Sequence, residues 1–486
     1  MKAKHSDFEI PAGNPFKNDR LNRGLNAEAL TNVIKNYQEG FTLAINGAWG
    51  TGKTTFIKMW KGYLEDKHGE EKGYKTIYFN AWENDLTNDP LVCILGELRP
   101  VINDTEDSLL KTLLKNLPSY FRCKVLSAAV DDFANNLKIS KSIDAAKSLA
   151  DNSIDVYKNE LSAYENKKKG IIEFKSILQK LVDLQSPNMP FIFFIDELDR
   201  CRPDFAVKIL EVIKHLFSVP GIVFVLSIDK EQLCNSIRGF YGSDKINTEE
   251  YLRRFIDIEY ELPEPNNYAF CKYLYDYFEF KDFFNDENRL KHLEFKDDGE
   301  LILNMATSIA ENKKLTLRQI EKWFVRIRLS LLTYNVHSDI TPGVILMLTF
   351  LKLFSTDLYD KIKSHVLSLQ EIVDLLQVKF GNEIRVDKSD GSNRYLNFSL
   401  CELVFFYYKE ALCQADNSRG GDPKEIREKF KNLKFQDGVL GTYQNPEELL
   451  VDFNRIDTFY NYKIGKIIEH IEITNSFKIS IEDKRL

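Results

Sequence analysis

The sequence has no pair of cysteines in a C-x-x-C spacing and no apolar run long enough to cross a membrane. Its seven cysteines are scattered, which favours reduced thiols in the cytosol over a disulfide framework or a zinc site. A membrane-spanning helix needs about 18 uninterrupted apolar residues, and no window of the sequence provides them. The N-terminal segment Met1–Asp7 opens no apolar stretch of the kind that a secretory signal requires. The sequence therefore predicts a cytoplasmic protein without membrane attachment.

The sequence also lacks an excess of positive charge. Its formal net charge is −7 and its isoelectric point is about 5.7, so bulk electrostatics does not favour nucleic acid or an anionic membrane as a partner. A local basic patch, and with it a nucleic-acid partner, remains possible. With 486 residues, of which 43% are hydrophobic, the chain is long enough for two or three globular domains with proper cores.

The stretch from Gly47 to Thr54 fits the pattern G-x-x-x-x-G-K-[ST] of a phosphate loop. The run Phe41–Asn46 before it is typical of a buried strand, and the residues after it are typical of a helix start. Glycines here allow backbone N–H groups to surround a polyphosphate, with Lys53 near the β and γ phosphates and Thr54 at a Mg²⁺ ion. The alternative is a glycine-rich turn without a ligand. The residues predicted to contact the nucleotide are Gly47, Ala48, Trp49, Gly50, Thr51, Gly52, Lys53, Thr54 and Thr55.

Two acids follow a second apolar run, as in a Walker B element. Residues 191–195 form the run, and Asp196 and Glu197 come directly after it. Asp196 is expected to hold the Mg²⁺ shell, while Glu197 is expected to orient and polarise the attacking water. A solvated acidic turn is the alternative, which the phosphate loop upstream disfavours.

Five further residues are candidates for catalysis. Ser227 and Asp229 close the next apolar run, where a polar side chain can face the γ-phosphate and the water. For Asp229, a helix N-cap is an open alternative that is compatible with this role. Charge that develops on the transferred phosphoryl group needs a cation besides the loop lysine, and Arg253, Arg254 and Arg318 are the candidates. Plain surface charge is the alternative for each arginine.

The order of patterns along the chain predicts an α/β domain followed by helices. Short apolar runs alternate with helical patterns from about residue 41 to 262, as in a parallel sheet with crossover helices. We expect a P-loop core at 15–265, with a helical insertion at about 88–189, then a helical lid at 266–335 and a helical region at 336–486. The predicted strands are 41–46, 75–79, 191–195, 222–227 and 256–262, and the first helices after the core are 268–284, 300–310, 317–332 and 343–353.

Four stretches together resemble the KAP family of P-loop NTPases, within the STAND group and the additional-strand catalytic-glutamate class. They are the phosphate loop 47–54, Phe79-Asn80-Ala81-Trp82-Glu83, Ile195-Asp196-Glu197-Leu198-Asp199-Arg200-Cys201, and Tyr251-Leu252-Arg253-Arg254-Phe255-Ile256. The resemblance implies a sheet of order 5-1-4-3-2, a helical insertion, and a lid whose Arg318 reaches the γ-phosphate as sensor 2. It also implies ATP and Mg²⁺ as the cofactors. The insertion lacks the transmembrane hairpin that membrane-bound relatives carry there.

Some residues near these motifs have two interpretations. Trp49 and Trp82 are interpreted first as packing residues beside the glycine loop. Asp199 and Arg200 form either a salt-bridged turn or a sensor of the bound nucleotide. The segment Asp19–Arg23 resembles one that lies over the adenine in related ATPases, with a simple helix cap as the alternative.

The functional hypothesis is a Mg²⁺-dependent ATPase whose nucleotide state switches a signalling or assembly event. By resemblance, its setting is bacterial anti-phage defence, with self-association or separate effector proteins as partners. The first alternative is an interaction scaffold that holds ATP and turns over negligibly. The second is a nucleic-acid-dependent motor, which the acidic composition disfavours.

Overall fold

The computed structural model describes residues 10–103, 169–380, 392–416 and 463–473, apart from short gaps within these ranges. Residues 104–168, the middle of the predicted helical insertion, and most of 417–462 lie outside this described part. The chain divides into two compact units, one that extends to Glu264 and one that starts at Pro265.

The first unit is a parallel sheet flanked by helices. Its strands and helices follow one another as α1 (Gly24–Asn36), β1 (Phe41–Asn46), α2 (Lys53–Glu65), β2 (Thr76–Asn80), α3 (Pro90–Asn103), β3 (Phe191–Asp196), α4 (Pro203–Leu216), β4 (Ile222–Ile228), α5 (Lys230–Tyr241), α6 (Thr248–Leu252) and β5 (Ile258–Glu261). A 3₁₀ turn, Leu198–Arg200, links β3 to α4.

The strand order is β2-β3-β4-β1-β5 with parallel pairing throughout. This is the predicted order 5-1-4-3-2 counted from the other edge, so the prediction is confirmed. In the register, Asn80 lies opposite Asp196, and Asp196 lies opposite Ser227. The carboxyl ends of the three strands β2, β3 and β4 therefore bring these polar residues to one edge of the sheet.

Both faces of the sheet are covered, which explains why the central strands are apolar without alternation. All six residues of β3 and all seven of β4 are buried. Along β3, Phe193 belongs to one hydrophobic core while Ile192 and Phe194 belong to the core on the other face. The central strands of the sheet, which carry the loops at its carboxyl edge, are thus buried on both faces.

The edge strand β5 is shorter than predicted. It covers Ile258–Glu261 instead of residues 256–262, because it pairs only with the last four residues of β1, Leu43–Asn46. β1 agrees with the prediction at both ends, and the remaining three strands differ from it by one residue at one or both ends. β2 starts and ends one residue later, and β3 and β4 each extend by one residue.

The second unit is helical in its described part. Its helices are α7 (Asn267–Tyr277), α8 (Phe280–Phe284), α9 (Asp298–Asn312), α10 (Leu317–Leu331), α11 (Pro342–Phe354), α12 (Thr356–Lys363), α13 (Leu369–Phe380), α14 (Ser392–Asp416) and α15 (Ile464–Ile473). The single helix predicted at 268–284 is two helices, because Glu279 adopts a left-handed conformation with φ of 57°. Within the described ranges, no helix has the length and apolarity that a bilayer crossing requires.

Candidate functional site

The phosphate loop joins β1 to α2 and is built around its glycines. Gly50 and Gly52 have φ of 82° and 86°, a left-handed conformation that other residues rarely adopt. A Cβ atom on Gly47 would lie 3.2 Å from Oγ1 of Thr51, so a side chain there would crowd the loop. The N–H of Gly47 donates to the Ile228 carbonyl at 3.2 Å, which ties the loop to the end of β4.

Lys53 is the first residue of α2 and lies inside the loop. Its side chain is only 9% exposed. Its Nζ donates to the Gly47 carbonyl at 2.5 Å and to the Ala48 carbonyl at 3.2 Å. Thr54 and Thr55, the next residues of the helix, are half-buried. The ammonium group of Lys53 is therefore held by backbone carbonyls of the phosphate loop.

Three carboxylates share the electrostatic environment of Lys53. Burial lowers the pKa of Lys53, while Asp199, Asp229 and Asp196 act in the opposite direction and Arg200 adds to the lowering. Because these acids lie at or just after the ends of β3 and β4, the sheet brings these strand ends and the phosphate loop together. The predicted neighbourhood of loop, Asp196 and Asp229 is therefore present in the structure.

Asp196 is held by two hydrogen bonds at the end of β3. The side chain is 1% exposed. Its Oδ1 accepts from the backbone N–H of Glu197 at 2.9 Å, and its Oδ2 accepts from the hydroxyl of Tyr78 at 2.9 Å. Burial, together with the charge of Asp196, raises the pKa of Tyr78, so the phenol stays protonated and remains a donor. Each carboxylate oxygen retains a further lone pair for another donor or a cation.

Glu197 lies next to Asp196 in a left-handed backbone conformation with φ of 60°. Its Oε1 is 2.6 Å from Nη1 of Arg200, and its Oε2 accepts from the side-chain amide of Asn80 at 3.2 Å. Burial raises the pKa of Glu197, an effect that Arg200 opposes and Asp196 reinforces. A carboxylate with a raised pKa is a better proton acceptor at neutral pH than an ordinary glutamate.

Trp49 connects the phosphate loop to both acidic strand ends. Its indole N–H donates to Oδ2 of Asp199, and its backbone N–H donates to Oδ2 of Asp229 at 3.1 Å. The side chain is 45% exposed, so it is not a core residue. The sequence had left the roles of Trp49 and Asp199 open, and the structure shows that the two side chains are hydrogen-bonded to each other. Trp82, in contrast, packs against the core on one face of the sheet.

Ser227 and Asp229 lie on either side of Ile228, where β4 ends. Ser227 is 1% exposed, and its Oγ has no hydrogen-bond partner among the described residues. Asp229 is the N-cap of α5, since its Oδ1 accepts from the backbone N–H of Gln232 at 3.3 Å. Asp229 therefore caps the helix, which the sequence had left as an alternative, and also accepts the hydrogen bond from Trp49 of the phosphate loop.

The three candidate arginines occupy exposed positions. Arg253 follows α6 and pairs with Glu250 of the same helix at 3.1 Å, and Arg254 is the next residue. Arg318 lies in the first turn of α10, in the second unit. Their catalytic roles stay predictions.

The residues present suit a nucleoside triphosphate with Mg²⁺. A Cβ on Gly47 would press on Thr51, so the loop needs glycine there to keep this conformation, and Ser227 provides a buried hydroxyl without a hydrogen-bond partner in the described part of the chain. The Thr54 hydroxyl and the Asp196 carboxylate are hard oxygen donors of the kind that Mg²⁺ prefers. In the described ranges no group of three or more His, Cys, Asp and Glu residues forms a metal cage. A small set of protein ligands is typical of Mg²⁺ that is bound together with phosphate and water.

Two residues of the site were not predicted as functional. Tyr78 contacts Asp196, and Asn80 contacts Glu197, although the sequence suggested Asn80 only as part of a family motif. The signal for both is positional, because β2 lies beside β3 in the sheet and Tyr78 and Asn80 are near its carboxyl end. Arg23, which the sequence placed in a segment over the adenine, instead donates from its guanidinium to two carbonyls of the phosphate loop.

The chain is similar to a curated relative and to two solved structures of another protein. The chain is 22% identical over 235 residues to the "Phage T7 exclusion protein" of Escherichia coli (strain K12). The match covers 46% of this chain and 30% of that relative, so the chain spans well under two thirds of the relative's length. Two solved structures of the Aeropyrum pernix ORC2 protein, an ADPNP-ADP form and an ADP form, cover 93% of both chains at 11% and 12% identity. Their TM-score of 0.35 is too low to support any argument.

The family comparison is decisive. The model of the KAP family P-loop domain matches residues 23–331, which is more than half of the chain. This range contains the phosphate loop, both acids at the end of β3 and the whole sheet. The protein therefore belongs to the KAP family of P-loop NTPases.

Proposed function

We propose that the protein is a Mg²⁺-dependent ATPase whose bound nucleotide acts as a switch for assembly or signalling. The observation that carries this proposal is the position of Lys53, which is buried, donates to two carbonyls of the phosphate loop and feels the charges of Asp199, Asp229 and Asp196. Glu197 is the next residue, so an anion site and a water-polarising carboxylate adjoin each other. ATP, rather than another nucleotide, is proposed from family likeness.

Each residue has a distinct role in this proposal. The loop N–H groups and Lys53 bind the phosphates, while Thr54 and Asp196 would hold Mg²⁺. When bound, Mg²⁺ neutralises charge on the β and γ phosphates. Glu197 accepts a hydrogen bond from the attacking water and takes its proton, and Ser227 donates to the γ-phosphate or to that water. Asp229 orients the loop through the N–H of Trp49.

The contacts of Glu197 support a regulated enzyme. Its carboxylate is paired with Arg200 at 2.6 Å and bonded to Asn80 at 3.2 Å. Each carboxylate oxygen keeps a further lone pair for a water, while the charge of Arg200 lowers the pKa of Glu197 and so makes it a weaker base. The same contacts favour the second candidate function, a scaffold that binds ATP, hydrolyses it negligibly and changes its affinity for partners when the site is filled.

The biological setting is proposed as anti-phage defence. The similarity to a phage exclusion protein supports it, although the match covers only part of that protein. By family likeness, its proposed partners are further copies of itself or separate effector proteins.

Two substitutions test the proposed activity. We expect Lys53→Ala to abolish the ATP-dependent thermal shift without changing the circular dichroism spectrum, because it removes the buried cation of the phosphate site.

We expect Glu197→Gln to retain ATP binding while phosphate release falls by about 100-fold or more, since it removes the proton acceptor. The matched controls are Lys208→Ala and Glu231→Gln, which remove the same charges from a half-buried position of α4 and an exposed position of α5.

The same measurements separate the two candidate functions. Wild-type protein that binds Mg·ATP but releases no phosphate, with or without Glu197→Gln, would support the scaffold. Wild-type protein that shows no thermal shift with Mg·ATP would contradict both proposals, because each requires a filled nucleotide site.

A further inference from the structure

A buried arginine outside the phosphate-loop motif contacts the loop. Arg23 precedes α1 and is 3% exposed. Its Nη2 donates to the carbonyl of Thr51 at 2.8 Å, and its Nη1 donates to the carbonyl of Gly52 at 3.2 Å. The guanidinium fork thus spans two consecutive peptide groups of the loop, a geometry that a lysine cannot reproduce.

The planarity of the peptide group gives these contacts a consequence for ligand binding. In a trans peptide the C=O and the following N–H point in opposite directions. When Arg23 attracts the carbonyls of Thr51 and Gly52, it turns the N–H groups of Gly52 and Lys53 away from itself. N–H groups at this position, where the loop becomes a helix, are those that bind phosphate oxygens.

The chain that carries Arg23 is itself fixed. Asp19 accepts hydrogen bonds from the backbone N–H groups of Leu21 at 2.9 Å, Arg23 at 2.5 Å and Gly24 at 3.1 Å. Burial lowers the pKa of Arg23 to about 10, with Asp19 and Tyr260 acting in the opposite direction, so the guanidinium stays charged at neutral pH. The cost of burying this charge is offset by charge-assisted bonds to the loop.

We propose that Arg23 is a positioning residue that holds the phosphate loop in the conformation that binds the triphosphate group of the nucleotide. The proposal rests on the proposed nucleotide site. It differs from the resemblance-based role of this segment, which placed residues 19–23 over the adenine. A residue that acts on the loop affects every ligand with a polyphosphate, whereas a residue that acts on the base affects only nucleotides.

The test compares ligands with and without a base. Dissociation constants of Mg·ATP, Mg·GTP and Mg·tripolyphosphate are measured by calorimetry for the wild type, Arg23→Gln and Arg23→Lys. The matched control is Lys35→Gln, which removes one positive charge from an exposed position near the other end of α1. Circular dichroism and thermal unfolding establish that each variant is folded before its binding is interpreted.

We expect Arg23→Gln to weaken the binding of all three ligands by a similar factor of about 10 or more, since charge-assisted hydrogen bonds are lost. Arg23→Lys keeps the charge without the fork, so we expect a smaller loss, again similar for all ligands. This variant carries the test if Arg23→Gln does not fold. Lys35→Gln should bind as the wild type does.

Two results would overturn the inference while leaving the nucleotide site intact. One is wild-type affinity for Mg·ATP in either folded variant. The other is a loss of ATP affinity with unchanged tripolyphosphate affinity, which would assign Arg23 to the base. Failure of the wild type to bind any of the three ligands would instead contradict the proposed function.

Discussion

Glu197 links the local electrostatics of the site to a measurable pH dependence. Burial raises its pKa, and the ion pair with Arg200 at 2.6 Å limits that rise. Asp196 and Asp199 add to the rise, while the amide of Asn80 opposes it. Glu197 is the proposed general base, and a general base must be deprotonated to act, so turnover should fall as pH falls through its pKa, at higher pH than for an ordinary glutamate.

Substitution of Arg200 tests this origin of the pH dependence. Arg200→Gln removes the cation that favours the charged carboxylate, so the acidic limb of the kcat profile should move to higher pH. Arg238→Gln, which removes a positive charge from α5, is the control and should leave the limb in place. If the acidic limb of the kcat profile is the same in Arg200→Gln as in the wild type, the protonation of Glu197 does not cause the loss of turnover at low pH.

Single residues also show where sequence interpretation stops. The patterns of the phosphate loop and of the acids at the end of β3 predicted which residues share an edge of the sheet, because the carboxyl ends of parallel strands lie at the same edge. The bond between Trp49 and Asp199, and the hydroxyl of Tyr78 on Asp196, depend on side-chain geometry between segments far apart in the chain. No local pattern encodes such contacts.

At the scale of secondary-structure elements, the start of β1 depends on a glycine. Gly40 has φ of 86°, and a Cβ atom there would lie 2.5 Å from the backbone carbonyl of Ile222, at the start of β4. Gly242, which ends α5, has φ of 65° and open space around the equivalent Cβ position. A side chain at Gly242 would meet only the strain of the left-handed conformation, whereas a side chain at Gly40 would meet the same strain and a steric clash.

We predict that Gly40→Ala destabilises the protein more than Gly242→Ala does. The second substitution costs only the left-handed conformation, about 1–2 kcal/mol. The first adds a clash with main-chain atoms of a paired strand, which can be relieved only by moving β1 relative to β4. Urea unfolding of the sheet-containing unit measures the difference. Equal losses of unfolding free energy in the two variants would mean that β1 relieves the clash with Ile222 without a measurable loss of stability.

Element boundaries were predicted well where periodicity is strong and less well where a single residue breaks an element. The run 41–46 and the helix start at 317 agree with the structure, because buried strands and capped helices have clear signals. Thr316 forms a capping box with Gln319 at that start. The break at Glu279 was missed, since a glutamate gives no local sign of a left-handed conformation.

At the scale of the whole molecule, the sheet order was predictable only through the family resemblance. Alternating patterns predicted five parallel strands, but they do not specify which strand lies beside which. The order came from matching four short motifs, and the pairing of β1 with both β4 and β5 confirms it. The division between the sheet-containing unit and the helical unit falls within the Pro263-Glu264-Pro265 segment, where the alternation stops in the sequence.

The exposed arginines after α6 raise the question of whether the active unit is larger than one chain. Arg253 is 73% exposed in its side chain, and its contact with Glu250 is a surface ion pair that contributes little to stability. An arginine that stabilises the transferred phosphoryl group from a neighbouring copy increases turnover by about 10³-fold or more without being needed for ATP binding. We therefore predict that replacing Arg253 and Arg254 together by glutamine lowers kcat at least tenfold and leaves the Kd for Mg·ATP unchanged.

Mixing two inactive variants distinguishes action between copies from action within one chain. Lys53→Ala protein keeps both arginines but lacks the phosphate-binding lysine, whereas the double arginine variant keeps the lysine. If an arginine acts across an interface, the mixture regains turnover, because the intact site of one copy receives the arginine of the other. Lys208→Ala serves as the control for removal of a surface charge. Full turnover of the double variant alone would identify both arginines as surface charges, and a lower kcat that mixing does not restore would place their action within a single chain.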